Sequence, residues 1–332
     1  MTASEILEAI RSRSALVVGD ICLDRWCTYD PALAEPSRET GIPRLAVVTT
    51  EVTPGAGGTV ANNLAALGVG RVAVLGAVGE DGHGFELARA LASRGIESEM
   101  LVPSPGIQTF TYTKLINAAS GVEDIPRVDF INRHALPGAV EEKVLERLRA
   151  CASEFDVVFV ADQAEAEQGV VTARVRECLN EFAARRGDRV VWVDSRLRCA
   201  LFRRAVIKPN EREAEAACRA LFGQVDYERL RRHVESDLVM VTRGAGGVVV
   251  VEPGRQTLAP TRPNPNPVDI CGAGDSFSAG AGMALAVTRN PILAAWFGNL
   301  VASITITKRG TGVAAPEEVL AAAAAMPPPP NC

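Results

Sequence analysis

Short runs of aliphatic and β-branched residues recur along the chain without polar interruption: SALVVGD (14–20), RVAVLGAVG (71–79), DVVFVAD (156–162), RVVWVDS (189–195), AVIKPN (205–210) and LVMVTRG (238–244). An apolar run that does not alternate is the pattern of a strand buried on both faces. Between most of these runs lie stretches with apolar residues at helical spacing, among them TVANNLAALG, GFELARALASRG, VEEKVLERLRACASE, TARVRECLNEFAARRG and EREAEAACRALFG. The alternation predicts an α/β fold, an open and mostly parallel sheet with helices on both faces. Residues 44–52, 108–117 and 127–132 break the rhythm. They alternate with period two and carry Thr, Tyr and Phe, which predicts a small separate β-sheet inserted at about 25–55 and 105–132 of a single domain spanning 1–332. So placed, the sheet is expected to act as a lid. In 44–52, Leu45, Val47, Thr49 and Glu51 alternate with Ala46, Val48, Thr50 and Val52, so neither face is strongly polar. One face is expected to cover a ligand and the other to meet a second copy in a homodimer. The tail AAAAAMPPPPNC is low in complexity and is expected to fray.

Composition narrows the function classes. The 332 residues are 47% hydrophobic and 23% charged, an ordinary soluble balance with room for a sizeable core. A formal net charge of -5 gives no footprint for nucleic acid or anionic membrane, and neither is expected as a partner. Six basic residues between Arg196 and Arg212 form a local run whose ordinary reading is a solvated face and whose alternative is contact with an anion. Eight cysteines are scattered with no CxxC pair, so neither a zinc site nor a disulfide scaffold is suggested. The N-terminus lacks the basic start of a secretory signal and no apolar stretch reaches membrane-spanning length, which makes a reduced, cytoplasmic protein the expectation.

Four glycine clusters remain, at 55–58, 79–84, 244–247 and 272–274. None fits GxGxxG and none leads into the Lys-Ser/Thr of a P-loop, which disfavours a dinucleotide enzyme and a Walker-type ATPase. The last cluster, VDICGAGDSFSAGAG, opens a predicted helix with small residues. Several backbone N–H groups are then free to converge, and the helix dipole adds positive character, so the place suits an anion. A carboxylate there repels an anion unless it serves proton transfer. Asp275 therefore reads as a base for a hydroxyl, with the amides of Gly272, Ala273 and Gly274 holding charge on a transferring phosphoryl group. Asp is also a good helix cap, and the residues alone leave both readings open.

Asp269-x-x-Gly272-Ala273-Gly274-Asp275 closely resembles the C-terminal signature of the PfkB/ribokinase family of carbohydrate kinases. Further resemblances follow the family's order: Val18-Gly19-Asp20 to Asp24, the glycines before the helix at 55–68, Val78-Gly79-Glu80-Asp81-x-x-Gly84, Lys208-Pro209-Asn210-x-x-Glu213, Val241-Thr242-x-Gly244-x-x-Gly247 and Ile306 to Gly310. The resemblance implies ATP-dependent phosphorylation of a small sugar or sugar-like alcohol on a ribokinase-like fold, with Asp275 as base. It implies substrate contacts from Asp24, Gly57, Gly58, Thr59 and Asp162. Nucleotide contacts would come from Asn210, Thr242, Gly244, Gly247 and Asn299. Mg2+ would be held through water by Asn210 and Glu213, and a monovalent cation could sit at Asp269. Asn210 and Glu213 also have the spacing of a capping box. Two departures stand out. Thr59 occupies the position of the family's asparagine, and Ile270 that of a smaller or hydroxylated residue.

Within the family the nearest likeness is to heptose-phosphate kinases, through Gly19-Asp20-x-x-Leu23-Asp24-Arg25-Trp26, Ser37-Arg38 and Arg127-Val128-Asp129-Phe130. Those enzymes carry Asp-Tyr-x-Lys-Gly where this chain has Asp162-Gln163-Ala164-Glu165-Ala166. Glu165 in place of a lysine would repel a substrate phosphate, so a neutral acceptor is expected. Heptose 7-phosphate, with Arg38, Lys114 and Arg127 to supply charge, and a nucleoside are the alternatives. A sugar- or nucleotide-binding module without catalysis is the alternative from another class.

Overall fold

A computed structural model describes residues 1–164, 168–185 and 187–326. Eight strands form the main sheet in the order Arg255–Ala259, Val248–Glu252, Val239–Thr242, Val206–Ile207, Val190–Ser195, Val157–Asp162, Ser14–Gly19 and Arg71–Leu75. The first two pairings in that order are antiparallel and the rest parallel. Each apolar run is buried on both faces, as its lack of alternation required. Along Ser14–Gly19, Ala15 and Val17 face one core and Leu16 and Val18 the other. The first core is closed by helices that include Ala3–Ile10, Gly57–Ala66, Ala273–Thr288 and Pro291–Thr305, and the second by Gly138–Cys151, Ala173–Ala184 and Glu211–Phe222. The run 71–79 is divided at Gly76: Arg71–Leu75 edges the main sheet, and Ala77–Gly79 pairs with Val102–Ser104.

A second sheet has four strands in the order Val47–Ala56, Ile21–Tyr29, Thr111–Asn117 and Val128–Phe130. Its central pairing is parallel and its outer two antiparallel. Ile21–Tyr29 follows the first strand of the main sheet with only Asp20 between, so the second sheet rises from the carboxyl edge of the first. The strand anticipated over 44–52 begins at Val47 and runs to Ala56. Its strict alternation fails at one point. Thr28 pairs with Thr49 but Tyr29 with Val47, so Val48 is the extra residue of a bulge. Val47 therefore shares a face with Thr50 and Val52, not with Thr49 and Glu51.

Candidate active site

Helix Ala273–Thr288 starts at the carboxyl edge of the main sheet, beneath the second sheet. Gly272 at its N-cap has φ +76°, and a Cβ there would lie 3.1 Å from the Thr59 methyl group. The positive φ favours glycine, and a Cβ would also press on Thr59. No side chain caps this helix. Asp275 therefore does not take the capping role that its residue type allowed. Its carboxyl is pushed up to about 7, first by burial and next by the neighbouring Asp194, while Lys208 pulls the other way.

The helix start forms a wall between two cavities. On one side Ala273 and Gly274 line a cleft of about 560 Å³ together with Asn210, Glu213, Thr242, Asn299 and Ile306. On the other side Gly272 and Asp275 line a smaller cavity of about 180 Å³ with Asp24, Trp26, Thr59 and Lys114. A neighbouring recess of about 360 Å³ shares Tyr112, Arg127, Gln163 and Arg196 with the smaller cavity. Asp275 thus faces the small cavity one residue away from the large one.

The inner face of the second sheet roofs the small cavity. Asp24 projects from Ile21–Tyr29 beside Gly55 of the paired strand, where a Cβ would stand 2.5 Å from Asp24 Oδ1. Any larger residue at 55 would displace the carboxylate. Burial raises the Asp24 carboxyl to about 6 against the opposing pull of Lys114 and Arg127. Lys114 lies 4.4 Å over the Trp26 ring and Arg127 4.9 Å over Tyr112. Arg127 also donates two 2.7 Å hydrogen bonds to Asp129. At the rim, Thr53 and Thr311 hydroxyls meet at 3.2 Å, which ties this sheet to the turn after Pro291–Thr305.

On the large-cleft side, Asn210 and Glu213 form a reciprocal capping box at the start of Glu211–Phe222, with bonds of 2.8 and 2.9 Å. Both residues line the cleft nonetheless. Burial raises the proton affinity of Glu213, a penalty that a nearby cation would relieve. Gly244 and Gly247 frame the turn after Val239–Thr242 and line the same cleft. Asn299 also lines it, with its amide donating to the carbonyls of Ala259 and Pro260. Asp269 stands just outside, where one carboxylate oxygen accepts from Cys271 N at 2.9 Å and the other from Gly310 N at 3.2 Å.

Not every anticipated contact reaches a cavity. Asp162 was expected to contact the substrate from the end of its strand. It is instead fully buried away from the cavity walls, held by Arg198 at 2.5 and 3.0 Å and by Ser195 Oγ at 2.6 Å. The strand end presents the residue, but the Arg198 guanidinium, just beyond the neighbouring strand Val190–Ser195, takes both of its oxygens. Gly57 and Gly58 are buried at the start of their helix, and the Thr59 hydroxyl turns to the Pro54 carbonyl at 3.3 Å while the residue still lines the small cavity. Arg38 is exposed and lines none of these cavities. Glu165 lies outside the described residues. Sequence reasoning passed over Asp194 and Tyr112, and it read Arg196 and Lys208 only as members of a basic run, with Lys208 also in a family motif, without a site role of their own. Asp194 ends an apolar strand just as Asp162 does, which is a signal the sequence carried.

Residues 13–318 match the family described as pfkB family carbohydrate kinase. Among curated proteins, the bifunctional protein HldE of Geotalea uraniireducens is 30% identical over 94% of this chain and 63% of its own length. That of Methylococcus capsulatus is 33% identical over 92% and 62%. The chain thus spans a little under two thirds of these relatives. Among solved structures, a ribokinase from Thermotoga maritima superposes with a TM-score of 0.69 at 23% identity, covering 93% of this chain and 99% of the ribokinase. A fructokinase with bound ATP from Xylella fastidiosa does so with 0.67 at 19%, covering 94% and 98%. At such identities these two likenesses speak for the fold.

Proposed function

Because this chain belongs to the pfkB family of carbohydrate kinases, we propose that it transfers the γ-phosphoryl group of ATP to a hydroxyl of a small sugar or sugar-like alcohol. The observation that carries the reading is the position of Asp275 in the wall between a large and a small cavity. ATP occupies the large cleft, its adenine toward Asn299 and its phosphates toward Gly274, with Thr242, Gly244 and Gly247 alongside. The acceptor occupies the small cavity, with one hydroxyl bound to Asp24 and another at Asp275. Asp275 takes the proton of that hydroxyl as its oxygen bonds to the γ-phosphorus, and the bridging P–O bond breaks to release ADP. The N–H groups of the helix start hold the charge in transit. Glu213, through water, and Asn210 would hold Mg2+, whose charge offsets that of the phosphates. Among the described residues no cluster of three His, Cys, Asp or Glu side chains is arranged for a metal. That fits an ion held mainly by phosphates and water. A monovalent cation at Asp269 belongs to the same proposal, and potassium-dependent turnover tests it.

A specific observation favours a second reading of the acceptor. Arg127 and Arg196 line both the small cavity and the adjoining recess, so an acceptor already carrying a phosphate, such as heptose 7-phosphate, would find cations there. Following ADP release with ATP, Mg2+ and a panel of sugars, sugar phosphates and nucleosides decides among these. Tight binding with no acceptor-dependent ADP from any of them would mark a non-catalytic module and overturn the proposal.

The second sheet is proposed to be a lid that excludes water during transfer and joins two copies through its outer face. Val47 and Val48 on its edge strand are 46% and 49% exposed, and apolar edge strands are rarely left in water. Light scattering is expected to give a dimer, and Val48→Glu or Val47→Glu a monomer. A monomeric wild type would refute this. Use of ATP supports a cytoplasmic location, and among the described residues no helix is long and apolar enough to cross a membrane.

A further inference from the structure

Lys208 and Asp194 form a buried pair that the mechanism above leaves without a role. Lys208 Nζ lies 2.5 Å from Asp194 Oδ2, with side chains 5% and 11% exposed. Adjacent parallel strands deliver them. Asp194 lies near the end of Val190–Ser195, Lys208 directly follows Val206–Ile207, and Val193 pairs with Ile207. Burying such a pair contributes little to stability, since well-packed apolar side chains of similar volume serve a core as well or better. Its position is more informative. Both residues line the large cleft beside Gly274, and a Cβ built on Gly274 would sit 3.2 Å from Lys208 Nζ. Ser278, one helical turn beyond Gly274, approaches the same Asp194 oxygen at 3.4 Å. The ammonium therefore lies against the backbone where the helix start meets the cleft, and Asp194 holds it there.

We propose that Lys208 is a further catalytic residue, shared between Asp194 and the γ-phosphoryl group in transit, and that Asp194 is its positioning residue. The inference rests on the phosphotransfer reading above. An ammonium has three donors, so one can stay on Asp194 while another follows the phosphoryl oxygens. Lys208 keeps its proton throughout. The acceptor's proton goes to Asp275, the new P–O bond forms to the acceptor oxygen, and the old one breaks toward ADP. The charged and titratable groups around Asp275 are Asp194 on the neighbouring strand, Lys208, Asp24 from the second sheet, Arg196 and Cys271, with Glu213 facing Lys208 from its helix. Asp194 pushes the Asp275 carboxyl up and Lys208 pulls it down. Removing Asp194 alone should therefore move the acid limb of the pH profile to lower pH.

The informative variant is Lys208→Met with Asp194→Asn, which removes both charges and leaves neither uncompensated. It is expected to melt near the wild type and to lose about 10²–10³-fold in kcat, the effect of deleting one donor to a developing anion. Its affinity for a non-hydrolysable ATP analogue should fall about tenfold or more while ADP binding is unchanged, because Lys208 meets only the γ-phosphoryl group. A folded double variant with kcat within threefold of wild type overturns the proposal, as does equal loss of analogue and ADP binding. If the double variant does not fold, Asp194→Asn alone decides: a lower kcat with the acid limb shifted down supports the proposal, and an unmoved limb with unchanged kcat overturns it. A wild type that releases no acceptor-dependent ADP would remove the phosphotransfer reading. The selective loss of analogue binding would still test Lys208 as a γ-phosphate ligand.

Discussion

Replacing Asp275 with Asn should lower turnover and stabilise the fold together. The side chain keeps its shape and loses only its charge and its capacity to take a proton. Loss of a general base costs about 10²–10⁴ in kcat, or about 2.7–5.4 kcal/mol of barrier. The stability change follows from proton linkage. The Asp275 carboxyl is raised from 3.8 to about 7 in the fold. Between those values the folded protein holds a proton that the unfolded chain has released, so wild-type stability falls as pH rises through this window. Above pH 7 the full penalty is present, about 4 kcal/mol at 1.36 kcal/mol per pH unit. Asn carries none of it. For 332 residues the entropy of unfolding is about 0.7 kcal/mol per degree, so the variant should melt about 6 °C higher at pH 8. The difference should vanish near pH 4. Calorimetry at pH 4, 6 and 8, with coupled ADP release on the same samples, measures both. In the wild type, kcat/KM should rise with pH through about 7 as the base ionises. Wild-type-like turnover, or a variant that melts lower than wild type at pH 8, would refute the assignment.

Three further outcomes are expected. Asp24→Asn should raise the acceptor KM about 10- to 100-fold, the effect of losing hydrogen bonds to a charged group, and leave the ATP KM within twofold; equal changes in both would remove Asp24 from the acceptor site. Arg198→Ala strands the buried Asp162 carboxylate and should cost about 3–5 kcal/mol, seen as a melting point lower by about 4–7 °C; an unchanged melting point would show that Asp162 needs no partner. Ala56, at the N-cap of Gly57–Ala66, has φ 50° and ψ -120°, a conformation that costs a residue with a Cβ about 1–3 kcal/mol. After the extra chain entropy of glycine, about 0.5–1 kcal/mol, Ala56→Gly should still gain about 1 kcal/mol and melt between 1 and 2 °C higher, which differential scanning fluorimetry resolves; a lower melting point would show that the loop is unstrained.

Much of the main sheet was legible because burial on both faces leaves its mark within each strand. SALVVGD and DVVFVAD carry no polar alternation, and the structure sets them side by side with Val17 opposite Phe159. The glycine stretch before Asp275 was legible for a similar reason, since small residues at a helix start are a local requirement. What each strand-end aspartate does was not local. Asp20, Asp24, Asp162 and Asp194 all lie at or just beyond the ends of apolar runs. Asp20 accepts the backbone N–H groups of Gln163, Ala164 and Val170. Asp24 faces a cavity, Asp162 is taken by Arg198, and Asp194 holds Lys208. Residue type and spacing are the same in kind, and the partner arrives from a segment 36 residues on for Asp162 and from the neighbouring strand for Asp194. The bulge at Val48 likewise follows from pairing with Tyr29, and it alone moves Val47 across the sheet. Periodicity along one strand records which face is buried, whereas the charge that meets a buried carboxylate is set by strand order and register, which exist only once distant segments have paired.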